Sequence, residues 1–343
     1  MGVLILLIAG MLGWGVWANT FKATGGKWRF ELFYFDFAIG VVLSATLLAL
    51  TTGSLGFDGF SFADDLRLAG KRQELFAFLA GAIFNLGNML LMAAVSLTGM
   101  AVAFPAAMGF ALIVAGAWNY ALNPGGNGTL LLVGAVAVAG AIVFDVLAFK
   151  TAASARLKAQ IDAGTVKAKK RGKTSLRGVF LGLAGGLLLG SFATLIQMGR
   201  ASENGLGPYS LGFIFSIGIL FSTFVFNLFF MNLPVQGEPV DIAEYFRAKA
   251  GRHVLGALGG IVWYIGLIAS LIAGRVEGAA RVPATLTYEL GQSGMVIAAL
   301  CGIYFWREYA DVDTTVKLRL GVMFVLLLAG IGLLSAALAV APS

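Results

Sequence analysis

A glutamate and a glutamine interrupt a segment that is otherwise long and apolar enough to cross a lipid bilayer. The segment is VPATLTYELGQSGMVIAALCGIYFW, Val282–Trp306, and the two residues are Glu289 and Gln292. A carboxylate at this depth is costly unless it is protonated, paired or hydrated, so an acid there predicts a function. We predict that Glu289 exchanges protons. The alternative is a structural glutamate, bonded to a neighbouring helix or paired with Arg281.

The neighbours of Glu289 indicate a binding surface for a polar solute. Thr285 lies four residues before it and Gln292 three residues after it, so helical spacing places both near the same face. Tyr288 adds an aromatic ring beside them. Donors, acceptors and an aromatic surface on one helix predict contacts with a small hydrophilic molecule.

Polar and aromatic side chains in other apolar segments are further candidates. Asn85 and Asn88, in FNLGNM, fall near mid-membrane, where an amide bonds to another helix or to a ligand. Trp14 and Trp263 are too deep for a headgroup belt, and Tyr264 follows Trp263. All five are predicted to contact the solute, with packing between helices as the alternative.

The composition requires a membrane. Of the 343 residues 59% are hydrophobic and 12% charged, and the mean hydropathy is +0.89. The apolar runs are continuous rather than alternating, which excludes a barrel and predicts an all-α protein. Ten transmembrane helices are predicted: Met1–Phe21, Leu32–Thr51, Leu75–Thr98, Val102–Leu122, Thr129–Phe149, Gly178–Met198, Ser210–Met231, Val254–Ala273, Val282–Trp306 and Thr315–Val340.

The basic residues predict the orientation. Of 24 Lys and Arg, six fall in one set of alternate loops, at Arg67, Lys71, Arg72, Arg200, Arg275 and Arg281, and the other loops hold the remainder. The positive-inside rule then places the basic loop 150–177 in the cytoplasm and both termini outside, in the cell (inner) membrane. The net charge of +7 comes from basic residues that determine the topology and can contact anionic lipid headgroups, so no nucleic-acid partner is expected.

The ten helices divide into two sets of five, and the halves resemble each other. Gly260 and Gly266 match Gly81 and Gly87 at a shift of 179, and Pro283 matches Pro105 at a shift of 178. Five helices per half require opposite orientations, which predicts an inverted repeat, a signature of secondary transporters. The predicted units are 1–152, a basic linker 153–177, and 178–343. A homodimer is a further possibility.

Several chemistries find no support in the sequence. GTVKAKKRGKTS, Gly164–Ser175, has Lys167 where a phosphate loop needs glycine, so ATP coupling is rejected. The sequence contains no cluster of His, Cys and acidic residues that would predict a metal site. It also contains no set of serine, histidine and acid that would predict a hydrolase. No cofactor is expected.

Three acids near helix ends complete the charged inventory. Asp36, Asp145 and Glu308 are expected to snorkel or cap, paired with Arg29, Lys150 and Arg307 respectively. The single histidine, His253, is expected to be structural or to lie at headgroup level.

Two stretches resemble the drug/metabolite transporter superfamily, in the branch with ureide permeases and rhamnose and glucose/ribose porters. They are LGNMLLMAAVSLTGMAVAFPAAMGFALIVAGAWNYALN, Leu86–Asn123, and CGIYFWREY, Cys301–Tyr309. The resemblance implies ten helices in two inverted repeats, a central polar cavity and uptake of small polar solutes, often with protons.

We therefore expect a secondary transporter of a ureide or nucleobase-like solute, with a sugar porter as the alternative. The alternatives from other functional classes are a passive channel and a membrane-embedded enzyme. Phe104 stands where ureide permeases carry an acid, which argues against ureide specificity.

Overall fold

The computed structural model describes residues 2–26, 28–56, 61–122, 126–163, 176–276, 282, 287 and 290–339. Its helices are α1 (Gly2–Val16), α2 (Asn19–Ala23), α3 (Phe30–Leu50), α4 (Phe62–Leu68), α5 (Lys71–Thr98), α6 (Met100–Leu122), α7 (Gly128–Asp162), α8 (Arg177–Arg200), α9 (Pro208–Asn232), α10 (Ala243–Phe246), α11 (Ala250–Ala273), α12 (Gly294–Leu300) and α13 (Thr314–Ala339). α12 continues as a π-helix, Cys301–Phe305.

Local sequence explains several helix ends. The Asn127 side chain accepts a hydrogen bond from the Leu130 amide and caps α7, and Pro208 begins α9, where no intrahelical amide is required. Gly99 has φ +89°, and this conformation lets a single residue separate α5 from α6. Short connections of this kind bring neighbouring helices back across the same thickness.

The chain is an all-α membrane protein, as the sequence predicted. Within the described residues nine helices are long and apolar enough to cross a bilayer, and a shorter apolar helix covers Leu290–Phe305. That shorter helix forms the described part of the span predicted at Val282–Trp306. The helix predicted at Val102–Leu122 begins slightly earlier, because α6 starts at Met100, and it contains Pro105 in its second turn.

The loops gather at two ends of the bundle. One end, called the basic end below, holds the loops between α2 and α3, α5 and α6, α9 and α11, and α12 and α13, together with the end of α7. There Arg29 donates to the carbonyl of Glu238 at 3.0 Å. At the opposite end the Gly207 amide donates to Asp65 at 2.9 Å.

α3 and α11 cross with their backbones almost in contact. A Cβ built on Gly40 would lie 2.1 Å from the carbonyl oxygen of Ala257, and one on Gly260 would lie 2.1 Å from that of Phe37. Only glycine permits this approach, which in a membrane brings large backbone surfaces together without the hydrophobic effect.

α5 and α9 cross in the same way. A Cβ on Gly81 would lie 2.1 Å from the carbonyl oxygen of Phe215, and one on Gly218 would lie 2.2 Å from that of Phe78. α3 also packs against α9, so the two crossings flank one central contact.

The three acids are not paired as expected. Asp36 accepts hydrogen bonds from Tyr245 at 2.6 Å and from His253 at 3.0 Å, while Arg29 pairs with Glu31 at 2.6 Å. This contact gives His253 the structural role expected of it. Asp36 pairs with His253 rather than with Arg29 because α11 brings His253 to the face of α3 that carries Asp36.

Glu308 pairs with Lys22 at 2.7 Å instead of with Arg307. Arg307 has φ +51°, a turn that carries the chain away from α12 toward α13. Neither carboxylate oxygen of Asp145 has a hydrogen-bond partner among the described residues. Lys150, its expected partner, therefore does not reach it.

Candidate functional site

A small cavity, with room for about one water molecule, lies between α1, α5, α6, α8, α11 and the residues leading into α12. Its described lining is mainly aromatic, with Gln292 as the amide side chain. The aromatic residues are Trp14, Trp17, Phe84, Phe192 and Trp263. A mostly apolar chamber with few polar groups is the usual form of a small-molecule site.

Trp263 stands at the centre of this aromatic lining. Its ring centroid lies 4.2 Å from that of Phe84, and Trp14 lies 6.3 Å away with its plane tilted by 12°. Phe215 packs nearly parallel to Trp263 at 6.0 Å. The rings fix one another, since each aromatic pair contributes about 0.5–1.5 kcal/mol beyond its buried area. The rings therefore hold one another in fixed orientations around the cavity.

Two glycines make room for Trp14. A Cβ on Gly266 of α11 would lie 2.6 Å from Trp14 Cδ1, and one on Gly291 would lie 2.7 Å from Trp14 Cζ3. The indole is thus held between α11 and the residue next to Gln292. Gln292 itself is 5% exposed, so its amide is available only to partners inside the protein.

A second cavity of about 40 Å³ adjoins the first and extends toward the end opposite the basic end. Both cavities are lined by Trp14 and Phe192, which makes these two rings the boundary between them. More polar side chains line the second cavity, namely Gln197, Arg200, Ser270 and Thr287. Arg200 donates to the Gly274 carbonyl at 3.0 Å and so ties α8 to α11.

Aromatic packing closes the central cavity on the other side. Trp17 packs on Phe37 at 5.0 Å and on Phe104 at 6.4 Å. One helical turn further along the chain, Phe21 meets Phe33 at 5.2 Å. We call these five residues the aromatic layer. It separates the cavity from the basic end.

Beyond the aromatic layer lies a wide vestibule of about 330 Å³. Lys22, Arg29 and Gln236 line it, together with Trp28. The vestibule carries positive charge and faces the loops of the basic end. The three cavities thus lie in series, with Trp14 and Phe192 between the second cavity and the central one and the aromatic layer between the central cavity and the vestibule.

The structure brings three of the predicted site residues together. Trp14, Trp263 and Gln292 line the central cavity. Glu289, Tyr288 and Thr285 lie outside the described residues.

The other predicted residues sit in helix contacts. Asn88 donates to the Tyr34 hydroxyl at 2.7 Å, and Asn85 donates to Ser222 of α9 at 2.8 Å. The Tyr264 hydroxyl lies against α9, where a Cβ on Gly212 would be 2.5 Å from it. Asn85 and Asn88 thus bond to neighbouring helices, and the Tyr264 hydroxyl has no hydrogen-bond partner among the described residues. Contact with the solute stays a prediction for all three.

Sequence reasoning did not select Phe84, Phe192 or Arg200 for the site. Phe84 precedes Asn85 in FNLGNM, so a reading of that motif for aromatic as well as amide groups could have found it. Arg200 ends α8 and was counted only as a loop charge. A single phenylalanine in an apolar helix gives no sequence signal, which leaves Phe192 beyond prediction.

No protein-family model matches this chain. The chain is 24% identical over 336 residues to a protein named "Putative ribose uptake protein RbsU" from Staphylococcus aureus strain COL, covering 96% of this chain and 98% of that protein. The protein of the same name from strain N315 matches with the same identity and coverage. The similarity is low but extends from end to end.

A solved structure titled "Crystal structure of protein" has the same overall fold. It superposes with a TM-score of 0.53 at 15% sequence identity, covering 98% of each chain. At this identity the comparison establishes the fold alone. The arrangement of helices therefore exists in an experimentally determined protein.

Proposed function

We propose that this chain is a secondary transporter of a small polar solute of the sugar class, which passes through the central cavity by alternating access. The observation that carries the proposal is the convergence of Trp14, Trp263 and the Gln292 amide on one central cavity. Aromatic faces cover the apolar side of a sugar ring, and an amide bonds its hydroxyls.

A sugar is favoured over the other candidate solutes by the relatives. Proteins similar over the whole length are named for ribose uptake, which supports a pentose or a related monosaccharide. A ureide or nucleobase-like solute is the second candidate, and the nearly parallel Trp14 and Trp263 rings favour it. Both classes are small and neutral and need the same kind of chamber.

The twin helix crossings support an inverted duplication. Gly218 follows Gly40 by 178 residues, and Gly260 follows Gly81 by 179, so the glycines that make one crossing correspond to those that make the other. The same shifts relate the matched segments of the two halves. Two copies inserted with opposite orientation exchange their conformations and open one central site to either side.

We further propose that the basic end faces the cytoplasm and that Glu289 couples transport to protons. The excess of Lys and Arg in the loops of this end supports the orientation. The coupling role rests on the sequence, where an acid stands three residues before Gln292.

The proposal is tested by counterflow in proteoliposomes loaded with unlabelled ribose, rhamnose, allantoin or uracil, each with the same solute labelled outside. We expect saturable exchange with ribose or rhamnose. Exchange with allantoin and uracil should be weaker or absent. Absence of exchange with all four solutes would contradict the proposal, and flux without saturation would favour a channel.

Proton coupling has its own assay in the same vesicles. With a pH gradient imposed, wild type should accumulate the sugar, and Glu289→Gln should lose the accumulation while it keeps counterflow. Glu203→Gln, on a loop at the opposite end, is the matched control and should behave like wild type. Gradient-driven accumulation by Glu289→Gln would remove its coupling role.

A further inference from the structure

Asp145 is a completely buried acid near the basic end of α7. Its side chain is 0% exposed, and within the described part of the chain neither carboxylate oxygen accepts a hydrogen bond. An ionised carboxylate without partners would cost several kcal/mol in such surroundings. In this conformation the acid is therefore neutral, and it can ionise only if water or a donor reaches it.

Tyr309 is the second buried polar group beside it. The side chain is 9% exposed, and its hydroxyl has no hydrogen-bond partner among the described residues. Burial raises the pKa of Tyr309, and the neighbouring carboxyls of Asp145 and Glu308 raise it further. Tyr309 lies in the segment after α12, which therefore covers Asp145.

That segment is held in place by the carboxylate of Glu308. It accepts hydrogen bonds from the backbone amides of Met100 at 2.9 Å and Ala101 at 2.8 Å, at the start of α6. Its ion pair with Lys22 adds the chain that follows α1. An acid at a helix N-terminus is stabilised by two charge-assisted hydrogen bonds and the helix dipole.

Other contacts join the same elements. Trp306 donates from Nε1 to Asn19 at 2.7 Å, and Arg156 of α7 donates to the Glu308 carbonyl. Gly99 and Gly302 leave the space that the Glu308 carboxylate occupies. We call the contacts of Glu308 with Lys22, Met100 and Ala101 the latch, because they fasten α2, α6 and the segment after α12 together.

We propose that Asp145 is a proton-binding site, and that release of its proton to the basic side accompanies opening of the latch. The closed latch keeps water away from Asp145, so the closed conformation holds the neutral acid. Opening hydrates the carboxyl, which then ionises and passes its proton to water. By linkage, proton loss is favoured as pH rises, so a high pH favours the open basic end and a low pH the closed one.

The charges around Asp145 are consistent with this sign. Glu308 lies near enough to interact with it, so a second negative charge in the closed cluster is repelled. The cations nearby are Arg156, bound to the Glu308 carbonyl, and Arg319 of α13, bound to the Leu147 carbonyl at 3.0 Å and to Thr151. The sequence of α6 contributes no charged side chain.

Asp36 and His253 form a rival pH-sensitive contact at the same end. Asp36 is 5% exposed, similar in burial to Asp145, but it is partnered by His253 and Tyr245. Asp36→Asn removes the ion pair with His253 while it keeps an acceptor for Tyr245. This variant is therefore the matched control for Asp145→Asn.

Cys301 provides a reporter that needs no solute. It is the single cysteine of the chain, half-buried at the start of the π-helix that leads to Glu308. The measurement is the rate of maleimide labelling of Cys301 in detergent-solubilised protein between about pH 5.5 and about pH 8.5. Each rate is divided by the rate for the same protein unfolded in SDS at that pH, which removes the titration of the thiol itself.

In wild type we expect this ratio to rise with pH, about threefold or more across the range. Asp145→Asn should give a low ratio at all pH values, because the amide resembles the neutral acid. Asp145→Ser serves as a second neutral replacement if the asparagine variant fails to fold. Asp36→Asn should keep the wild-type response.

A wild-type pH response in both neutral variants of Asp145 would overturn the proposal, as would a response abolished by Asp36→Asn alone. A flat ratio in wild type would overturn it too. The role of Asp145 in transport rests on the proposed function, but the labelling experiment itself requires no sugar. Failure of counterflow would thus count against the transporter proposal, and an unaltered pH response against Asp145.

Discussion

The two ends of the central cavity are built differently. Toward the basic end the aromatic layer and the latch of Glu308 close the path, and the latch joins three segments of the chain. Toward the opposite end the cavity continues past Trp14 into a second chamber lined by Arg200 and Thr287. The two sides therefore differ in what borders the cavity, with aromatic rings and the latch on the basic side and a second cavity with polar side chains on the opposite side, and we expect the latch to loosen if the protein opens on the basic side.

The two glycine crossings, in contrast, are alike. At the crossing of α3 and α11, a Cβ built on either glycine would lie 2.1 Å from the facing carbonyl oxygen. At the crossing of α5 and α9 the corresponding distances are 2.1 Å and 2.2 Å. If the two repeats exchange conformations, features already equal in one state remain equal after the exchange. We therefore expect the crossings to act as a fixed frame, and α1, α6, α8 and α12 to move against it.

Removing the latch should have the largest effect on stability. Glu308→Ala eliminates two hydrogen bonds to a charged acceptor, each contributing about 1.5–3 kcal/mol, so we expect a loss of about 3 kcal/mol. SDS-induced unfolding measures it. Glu244→Ala, an exposed acid at the same end, is the control and should change little. Equal effects of the two variants would mean that the latch does not hold the basic end.

The same glycine-to-alanine substitution should reduce stability equally at the two glycine crossings. Gly260→Ala and Gly81→Ala each place a methyl group against a backbone carbonyl, and we expect each to destabilise by about 1–3 kcal/mol. On α11, Gly251→Ala adds a methyl with nothing within 4 Å and should be neutral or slightly stabilising. Unfolding in SDS compares the three. A large inequality between the first two would argue against a common frame.

The opposite end should be the least sensitive. Arg200→Gln removes one hydrogen bond to the Gly274 carbonyl, where Glu308→Ala removes two, so we expect a smaller loss of about 1.5 kcal/mol. Thermal unfolding followed by circular dichroism is sufficient. A loss as large as that for Glu308→Ala would show that both ends are fastened, contrary to the asymmetry described above.

The sequence predicted the class of fold well and the details of charge pairing poorly. Continuous apolar runs determine helices in a membrane, because backbone groups have no other way to be satisfied there. The partners of Asp36 and Glu308 depend on which helices adjoin, and that is decided by glycines such as Gly40 and Gly302, whose role shows only in three dimensions. Nearest basic residues in sequence were therefore a poor guide.

The candidate site was predicted in part for the same reason. Trp14, Trp263 and Gln292 were identified because their depth or polarity is unusual for lipid, and all three line the cavity. Asn85 and Asn88 gave the same signal, but they bond to neighbouring helices. A polar residue in an apolar helix shows that a partner is required, without showing whether that partner is protein or solute.

Isothermal titration of the purified protein with ribose tests the central claim most directly. Wild type should bind one ribose per chain, and Gln292→Ala should weaken binding about tenfold, which corresponds to about 1.4 kcal/mol. Gln236→Ala, an equal truncation in the vestibule, should leave the affinity unchanged. No ribose binding by wild type, or weakening by Gln236→Ala but not by Gln292→Ala, would contradict a sugar site in the central cavity.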